Sequence, residues 1–123
     1  MQLGNFSVSL SVSDLAKSRD FYQILGFTVL GGNPDEGWVI MRNGRCTIGL
    51  FQGMIEQNML TFNPGWDAEG RQMTNFLDVR EIQRRLKAAG LKPQVEVDDK
   101  GRGPASFVVV DPDGNPVLID QHV

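Results

Sequence analysis

The sequence predicts an α+β fold made of two copies of one β-α-β-β-β unit. Three observations lead to this fold class. Residues 6–13 alternate strictly between apolar residues and serines, which is the period of a strand. Two amphipathic segments are each preceded by an aspartate and followed by a glycine, as helices with defined ends are. Two turn sequences, at residues 43–44 and 111–115, separate pairs of strand-like segments.

The first unit begins with the strand over residues 6–13. Asp14 is placed to cap a helix and Gly26 to end it, so a helix of about three turns is expected between them. Three short strands are then expected at residues 27–30, 38–42 and 47–52. The Asn-Gly sequence at residues 43–44 is typical of a two-residue hairpin turn and pairs the last two of these strands.

The second unit follows a long connection. Residues 53–70 contain Gly, Pro, Asn and Asp without a sustained period, and connections of this length are often functional. A strand is expected at residues 72–77, and then a second helix from the Asp78 cap to Gly90. The remaining strands are expected at residues 91–97, 107–110 and 117–119.

The spacing of the helix ends indicates an internal repeat. Asp14 and Gly26 are 12 positions apart, and so are Asp78 and Gly90. We therefore expect a single domain, with module one at residues 6–52, the connection at 53–70 and module two at 71–121. Because a helix covers only one face of each small sheet, the open faces are expected to form one curved surface with a cleft for a small molecule.

Composition narrows the classes of function. The 123 residues hold 12 Lys and Arg against 15 Asp and Glu, a net charge of −3 without a basic stripe, which argues against nucleic acid as a partner. No apolar run reaches the roughly 20 residues of a bilayer span, and the first residues do not resemble a signal peptide. We therefore expect no membrane partner and a cytoplasmic protein. The single cysteine, Cys46, is predicted to be unreactive.

Three stretches of the chain resemble a known family. They are SVSLSVSDLAKSRDFYQILGF at the start, RRLKAAGL at the end of the second helix and FVVVDPDGNPVLID near the end. Together, over residues 6–121, they resemble the vicinal oxygen chelate superfamily, which contains glyoxalase I, bleomycin resistance proteins and extradiol dioxygenases. The resemblance implies paired βαβββ modules that form a curved mixed sheet with an internal cleft, commonly in a homodimer.

The resemblance also implies four positions at which enzymes of this superfamily hold a divalent metal. In this sequence the four positions are Ser7, Gly49, Arg71 or Thr74, and Leu118. None of these side chains supplies the imidazole, carboxylate or thiolate that such an ion needs. Asp120 and His122, on the strand face of the fourth position, add only two donors. We therefore expect no metal and no other cofactor.

Serine and aromatic side chains indicate a candidate ligand site. Ser7 and Ser9 are either cleft lining or the solvated side of a strand. The predicted hairpin sets Trp38 opposite Gly49, where the indole either fills the space of a metal-binding carboxylate or packs as an ordinary sheet residue. Trp66, on the connection, either closes over a ligand, packs against a second subunit or pins the loop.

The favoured function is metal-independent binding of a small aromatic or mixed-polarity molecule, as sequestration or carriage of the bleomycin-resistance kind. The predicted ligand-binding residues are Ser7, Ser9, Trp38, Gly49, Phe51, Trp66, Arg71, Leu118 and Asp120. No catalytic residue is assigned. The alternative is a glyoxalase-like or dioxygenase-like lyase, isomerase or oxygenase with a rearranged site that includes Asp120 and His122. A third hypothesis is an interaction module whose connection binds a protein partner.

Overall fold

The computed structural model describes residues 1–123, and it contains seven strands, two α-helices and one 3₁₀ turn. The elements are β1 (Asn5–Val12), α1 (Leu15–Ile24), β2 (Thr28–Asn33), the 3₁₀ turn (Pro34–Glu36), β3 (Trp38–Asn43), β4 (Cys46–Gln52), β5 (Met59–Asn63), α2 (Val79–Ala88), β6 (Ala105–Val110) and β7 (Pro116–Gln121). The predicted α+β fold class is confirmed. Neither helix has the length and apolar character needed to cross a membrane.

The chain divides into two compact units, which are described separately. The first unit is Ser7–Met59, and the second unit combines Met1–Phe6 with Leu60–Val123. In the first unit the strand order is β2-β3-β4-β1, with β1 parallel to β4 and the other neighbours antiparallel. In the second unit β7 lies between β5, to which it is parallel, and β6, to which it is antiparallel.

Each unit has its own apolar core beneath its own helix. In the first unit Leu15 of α1 packs with the buried residues of β3 and β4, which are Val39, Met41, Ile48 and Leu50. In the second unit Val79 and Ile82 of α2 pack against Phe107 and Ile119. Because successive residues of a strand point to opposite faces, each strand that buries one set of side chains presents the alternate set on the face away from the helix.

The two helices begin in the same way, as the repeated spacing predicted. Asp14 and Asp78 are the N-caps, and their carboxylates accept hydrogen bonds from the backbone of the first turn. A glutamine at the end of the last strand of each unit completes the start of the helix. Gln52 Oε1 accepts from the Leu15 amide at 2.8 Å, and Gln121 Oε1 accepts from the Val79 amide, also at 2.8 Å.

The two glutamines differ in burial and in the number of groups they satisfy. Gln121 is only 2% exposed, and its Nε2 donates to Asp78 Oδ2 at 3.1 Å and to the carbonyls of Gly103 and Val123. Gln52 is exposed. Buried polar groups that lose their partner pay the full cost of desolvation, whereas exposed groups regain water. The Gln121 network therefore contributes more to the stability of its unit.

The second module starts earlier in the chain than the sequence predicted. A strand over 72–77 was wrong, and β5 lies instead inside the predicted connection, where Leu60 and Phe62 alternate with Thr61. The segment after β5 turns back on itself, because Asp67 Oδ1 accepts from the amides of Glu69 and Arg71 at 2.9 Å each. Of the predicted strand, only an isolated bridge between Gln72 and Trp66 is present.

The predicted strand over 91–97 is also wrong, and only an isolated bridge between Val95 and Val108 remains of it. Pro93 lies in the middle of this segment and has no amide hydrogen to donate to a neighbouring strand. The side chain of Gln83 on α2 holds the end of the segment instead. It donates to the Val97 carbonyl and accepts from the Val97 amide, both at 2.9 Å.

Replacing the two glutamines with leucine is expected to separate their contributions. Gln121→Leu leaves buried groups without partners and is expected to lower the free energy of unfolding by about 3 kcal/mol. Gln52→Leu removes a single, partly buried hydrogen bond at a helix start and is expected to cost about 1 kcal/mol. Urea unfolding followed by circular dichroism measures both values. An equal loss in the two variants would contradict the unequal roles assigned to them.

Candidate functional site

The sheet face of the first unit that points away from α1 is the candidate site. The register aligns Ser9, Gly49 and Ile40 in one row across β1, β4 and β3. The next row is Ser11, Phe51 and Trp38. We call this surface the serine–aromatic face, and its defining residues are Ser7, Ser9, Ser11, Trp38, Gly49 and Phe51. The structure therefore brings together five of the nine predicted ligand-binding residues: Ser7, Ser9, Trp38, Gly49 and Phe51.

Two stacked aromatic rings dominate this face. Trp38 and Phe51 are directly opposite each other, with ring centroids 6.2 Å apart and ring planes within 7° of parallel. The Phe51 ring also lies over Gly49, since a Cβ added to Gly49 would stand 2.5 Å from Phe51 Cε2. Gly49 is therefore the residue that lets the Phe51 ring lie flat against the strand.

The predicted pairing of Trp38 with Gly49 is wrong. Asn43 pairs with Cys46, so the two-residue turn consists of Gly44 and Arg45 rather than residues 43–44. Gly44 has a φ of +59°, which suits glycine at the first turn position. This turn moves the register by two residues, so that Ile40 lies opposite Gly49 and Trp38 lies opposite Phe51. An aromatic ring over Gly49 was one of two alternatives, and the ring found there is that of Phe51, two residues along the same strand.

The three serines of β1 differ in their exposure to solvent and in their hydrogen bonds. Ser9 is only 4% exposed, Ser7 is half-buried and Ser11 is exposed. The Ser11 hydroxyl donates to the Ile55 carbonyl at 3.0 Å, which ties the loop after β4 to β1. The burial of Ser9 excludes the solvated-strand alternative for that residue. Ligand binding by Ser7 and Ser9 stays a prediction.

Leu118 and Asp120 lie together on β7, on the face of the second unit away from α2. Leu118 is aligned with Thr61 of β5 and Val108 of β6. Asp120 Oδ2 is 2.9 Å from His122 Nε2. The hydrogen bond that His122 donates to this carboxylate raises the pKa of the imidazole, although partial burial works in the opposite direction. Asp120 thus orients the only imidazole of the chain and stabilises its charged form.

The third predicted metal position is wrong in both registers. Arg71 and Thr74 are exposed, and neither belongs to a strand. Both alternatives need a strand directly before α2, but residues 64–78 contain no strand. The strand residue aligned with Leu118 is Thr61, which is 8% exposed. The apolar residues Leu60 and Phe62 on either side of Thr61 have the alternation of a strand, although they lie within the predicted connection.

Trp66 is held within the second unit by backbone pairing. Its backbone forms a bridge with Gln72, and the Met73 amide donates to the Gly65 carbonyl at 2.7 Å. The indole Nε1 is buried without a hydrogen-bond partner, as is Oδ1 of Asn63. Contribution of Trp66 to a ligand site stays a prediction.

The donor chemistry does not fit the divalent metal that the resemblance implies. Ser7, Gly49, Thr61 and Leu118 supply two hydroxyls, a hydrogen and an alkyl group, whereas such ions need imidazole, carboxylate or thiolate ligands. No three His, Cys, Asp or Glu side chains are grouped so that they would hold a metal ion.

A methyl group at Gly49 is expected to displace the Phe51 ring. Gly49→Ala should therefore change the near-ultraviolet circular dichroism of the stacked rings and lower the free energy of unfolding by about 2 kcal/mol. Gly31→Ala is the matched control, since a Cβ at Gly31 meets no atom within 4 Å. Unchanged aromatic signals in Gly49→Ala would contradict the assigned ring position.

Comparisons with known proteins agree with the geometry. The sequence profile of the Glyoxalase/Bleomycin resistance protein/Dioxygenase superfamily matches residues 6–119. No curated protein sequence matches the chain. A Legionella pneumophila structure described as an NAD-dependent benzaldehyde dehydrogenase shares 21% identity, covering 96% of this chain and 99% of that one, with a TM-score of 0.72.

Two further structures are similar in fold. A superfamily member from Vibrio splendidus 12B01 has 17% identity and a TM-score of 0.64, with 95% of this chain and 97% of that chain covered. An extradiol ring-cleaving dioxygenase from B. fuscum has 21% identity and a TM-score of 0.60 over 98% of this chain, which spans only 33% of that one. Likeness at these identities concerns the fold. With the profile match over nearly its whole length, the chain belongs to the Glyoxalase/Bleomycin resistance protein/Dioxygenase superfamily.

Proposed function

We propose that the protein binds a small aromatic or mixed-polarity organic molecule on the serine–aromatic face, without a metal ion. The role is sequestration or carriage, resembling that of the bleomycin resistance proteins in the superfamily. The observation that carries the proposal is the stacked pair of Trp38 and Phe51 over Gly49. A flat aromatic surface thus occupies the position at which the resemblance implies a metal-binding carboxylate.

The aromatic pair suits ring recognition because it is held in place yet not fully buried. Trp38 and Phe51 are both half-buried, so part of each ring surface is open to contact. Stacking on such a surface contributes roughly 0.5–1.5 kcal/mol beyond the burial of apolar area. The near-parallel planes hold both rings in one orientation, which lowers the entropy cost of binding a flat molecule.

The polar groups of this face suit hydrogen bonding more than covalent chemistry. Ser7, Ser9 and Ser11 align with Thr47, Gly49 and Phe51 of β4, none of which is a base. A serine hydroxyl acts as a nucleophile only when a neighbouring base activates it. Ser11 is aligned with Phe51, and because its hydroxyl donates to the Ile55 carbonyl, its oxygen is left to accept a hydrogen bond from a ligand whose ring stacks on the aromatic pair. The homodimer and the cytoplasmic location expected from the sequence belong to this proposal.

Two thermal-shift experiments test the proposed metal-free binding of an aromatic molecule. Chelator-stripped protein titrated with nickel, zinc, manganese, iron(II) and cobalt is expected to keep its melting temperature, because a ligand raises it only by binding the native state. A screen of small aromatic compounds on the same protein is expected to find compounds that raise it. A saturable shift with a metal ion would overturn the metal-free site.

Substitution of Trp38 then locates the binding. Trp38→Ala is expected to weaken binding of a screened compound at least about tenfold while lowering the melting temperature by no more than about 5 °C. Leu91→Ala, at an exposed apolar residue of the second unit, is the control and should leave the affinity unchanged. Unfolding of Trp38→Ala would instead identify the indole as a core residue, and equal affinity losses in both variants would reject the proposed face.

The second candidate function is an enzyme of lyase, isomerase or oxygenase type that uses the Asp120–His122 pair. The 2.9 Å contact favours it, because a carboxylate that orients an imidazole is a common arrangement for general acid–base catalysis. His122 would move the proton, and Asp120 would be a positioning residue. The side chains of the pair are 33% and 50% exposed, for Asp120 and His122 respectively, so solvent reaches the imidazole.

The contact between Asp120 and His122 predicts how the protonation of the imidazole depends on pH. In the wild-type protein the pKa of His122 is expected above the ordinary value of 6.5, and Asp120→Asn should lower it. Because the folded pKa is raised, the contribution of the pair to stability is complete below the unfolded pKa and is lost as the pH rises through the folded pKa. An NMR titration of the single imidazole measures this directly. Asp113→Asn, on the exposed β6–β7 turn, is the control, and an equal shift in both variants would contradict the contact.

A further inference from the structure

A groove of about 370 Å³ lies in the first unit between α1, the end of β1 and the loop after β4. It is separate from the Trp38–Phe51 pair, since neither ring contributes to its lining. Its volume is at the lower end of the range of small-molecule sites. The groove is open to solvent on one side, so a ligand reaches it without a conformational change.

One wall of the groove is apolar and includes an exposed ring. Leu10 and Val12 of β1 pack on the core of the unit and form the floor. Phe21 of α1 lines the groove and is 58% exposed, although its ring is held edge-on against Tyr22 with centroids 5.1 Å apart. An aromatic ring that is fixed in place but left in water gains free energy when an apolar surface covers it.

The other wall supplies hydrogen-bond donors. Asn58 is fixed there because its Oδ1 accepts from the Ser11 amide at 2.9 Å, which leaves its Nδ2 without a protein partner. Lys17, Ser18 and Tyr22 also line the groove, and their side chains carry an ammonium and two hydroxyls. Residues with donor groups thus border the apolar floor.

The charge of the groove favours an anion. Lys17 is the only charged residue in the lining. Neither of the nearby carboxylates belongs to the lining: Asp14 accepts from the Lys17 backbone amide, and Asp20 forms an ion pair with Arg19 at 3.3 Å. A lining with one ammonium and neutral donors is complementary to a carboxylate and not to a cation.

From these observations we infer that the groove is a second ligand site, and that it binds a small aromatic carboxylate. The ring of the ligand covers Phe21 and the floor formed by Leu10 and Val12. The carboxylate lies between the Lys17 ammonium and the Asn58 amide. This site is distinct from the proposed function, and either of the two is able to exist without the other.

Titration of the uniformly ¹⁵N-labelled full chain with 2-naphthoate tests the inference. Saturable shifts of the backbone amides are expected at Ser11, Val12, Ser18 and Phe21, with little change at Trp38 and Phe51. The neutral analogue 2-naphthamide is expected to bind about fivefold more weakly, as befits the loss of one exposed ion pair. Shifts confined to Trp38 and Phe51 would overturn the groove site while supporting the proposed function.

Variants of the two walls complete the test. Phe21→Ala is expected to weaken binding of 2-naphthoate at least about tenfold, and Lys17→Gln about fivefold. Both side chains are exposed, so the fold is expected to survive. Lys92→Gln, an exposed lysine of the second unit, is the charge-matched control and should bind as the wild type does. No saturation with wild-type protein, or equal affinity in all three variants, would overturn the site.

Discussion

The packing of α1 on one face of β3 and β4 is the constraint that decides the rest of the first unit. Once Val39, Met41, Ile48 and Leu50 are buried beneath the helix, the pleat assigns every alternate residue to the other face. Gly49 lies between two of these core positions, so its missing side chain leaves space on the open face and not in the core. The Phe51 ring uses that space, and Trp38 stacks on the ring. Because the core requires apolar side chains on only one face of the sheet, the residues of the other face are not restricted to apolar types.

The features that were predicted correctly from the sequence are those that depend on residues close together in the chain. The starts and ends of both helices follow from Asp14, Asp78 and the glycines after each helix, because capping depends on a few neighbouring residues. The strand over residues 6–13 was found from its own alternation, and the structure places it at Asn5–Val12. The superfamily followed from stretches that carry these same local features.

What the sequence did not predict depended on the choice between competing backbone partners. The Asn-Gly sequence allowed more than one two-residue turn, and the choice of Gly44 and Arg45 moved the hairpin register by two residues. In the second module, the Asp67 side chain accepts from the amides of Glu69 and Arg71 and closes a turn directly before the segment that was predicted as a strand. The glutamine contacts at the helix starts join residues 37 and 42 positions apart and have no local signal at all.

The two units have the same arrangement of a capped helix on a sheet, but they carry different side chains on the face away from the helix. At the end of β7 the open face carries Asp120, whose carboxylate holds the imidazole of His122. At the end of β4 it carries aromatic rings and serines. A helix that is capped by an aspartate and by a strand-end glutamine is common to both units, so the fold does not depend on what the open faces display. Because the residues of these faces lie outside the two core clusters, the side chains on them are able to differ between the units while each core keeps its packing.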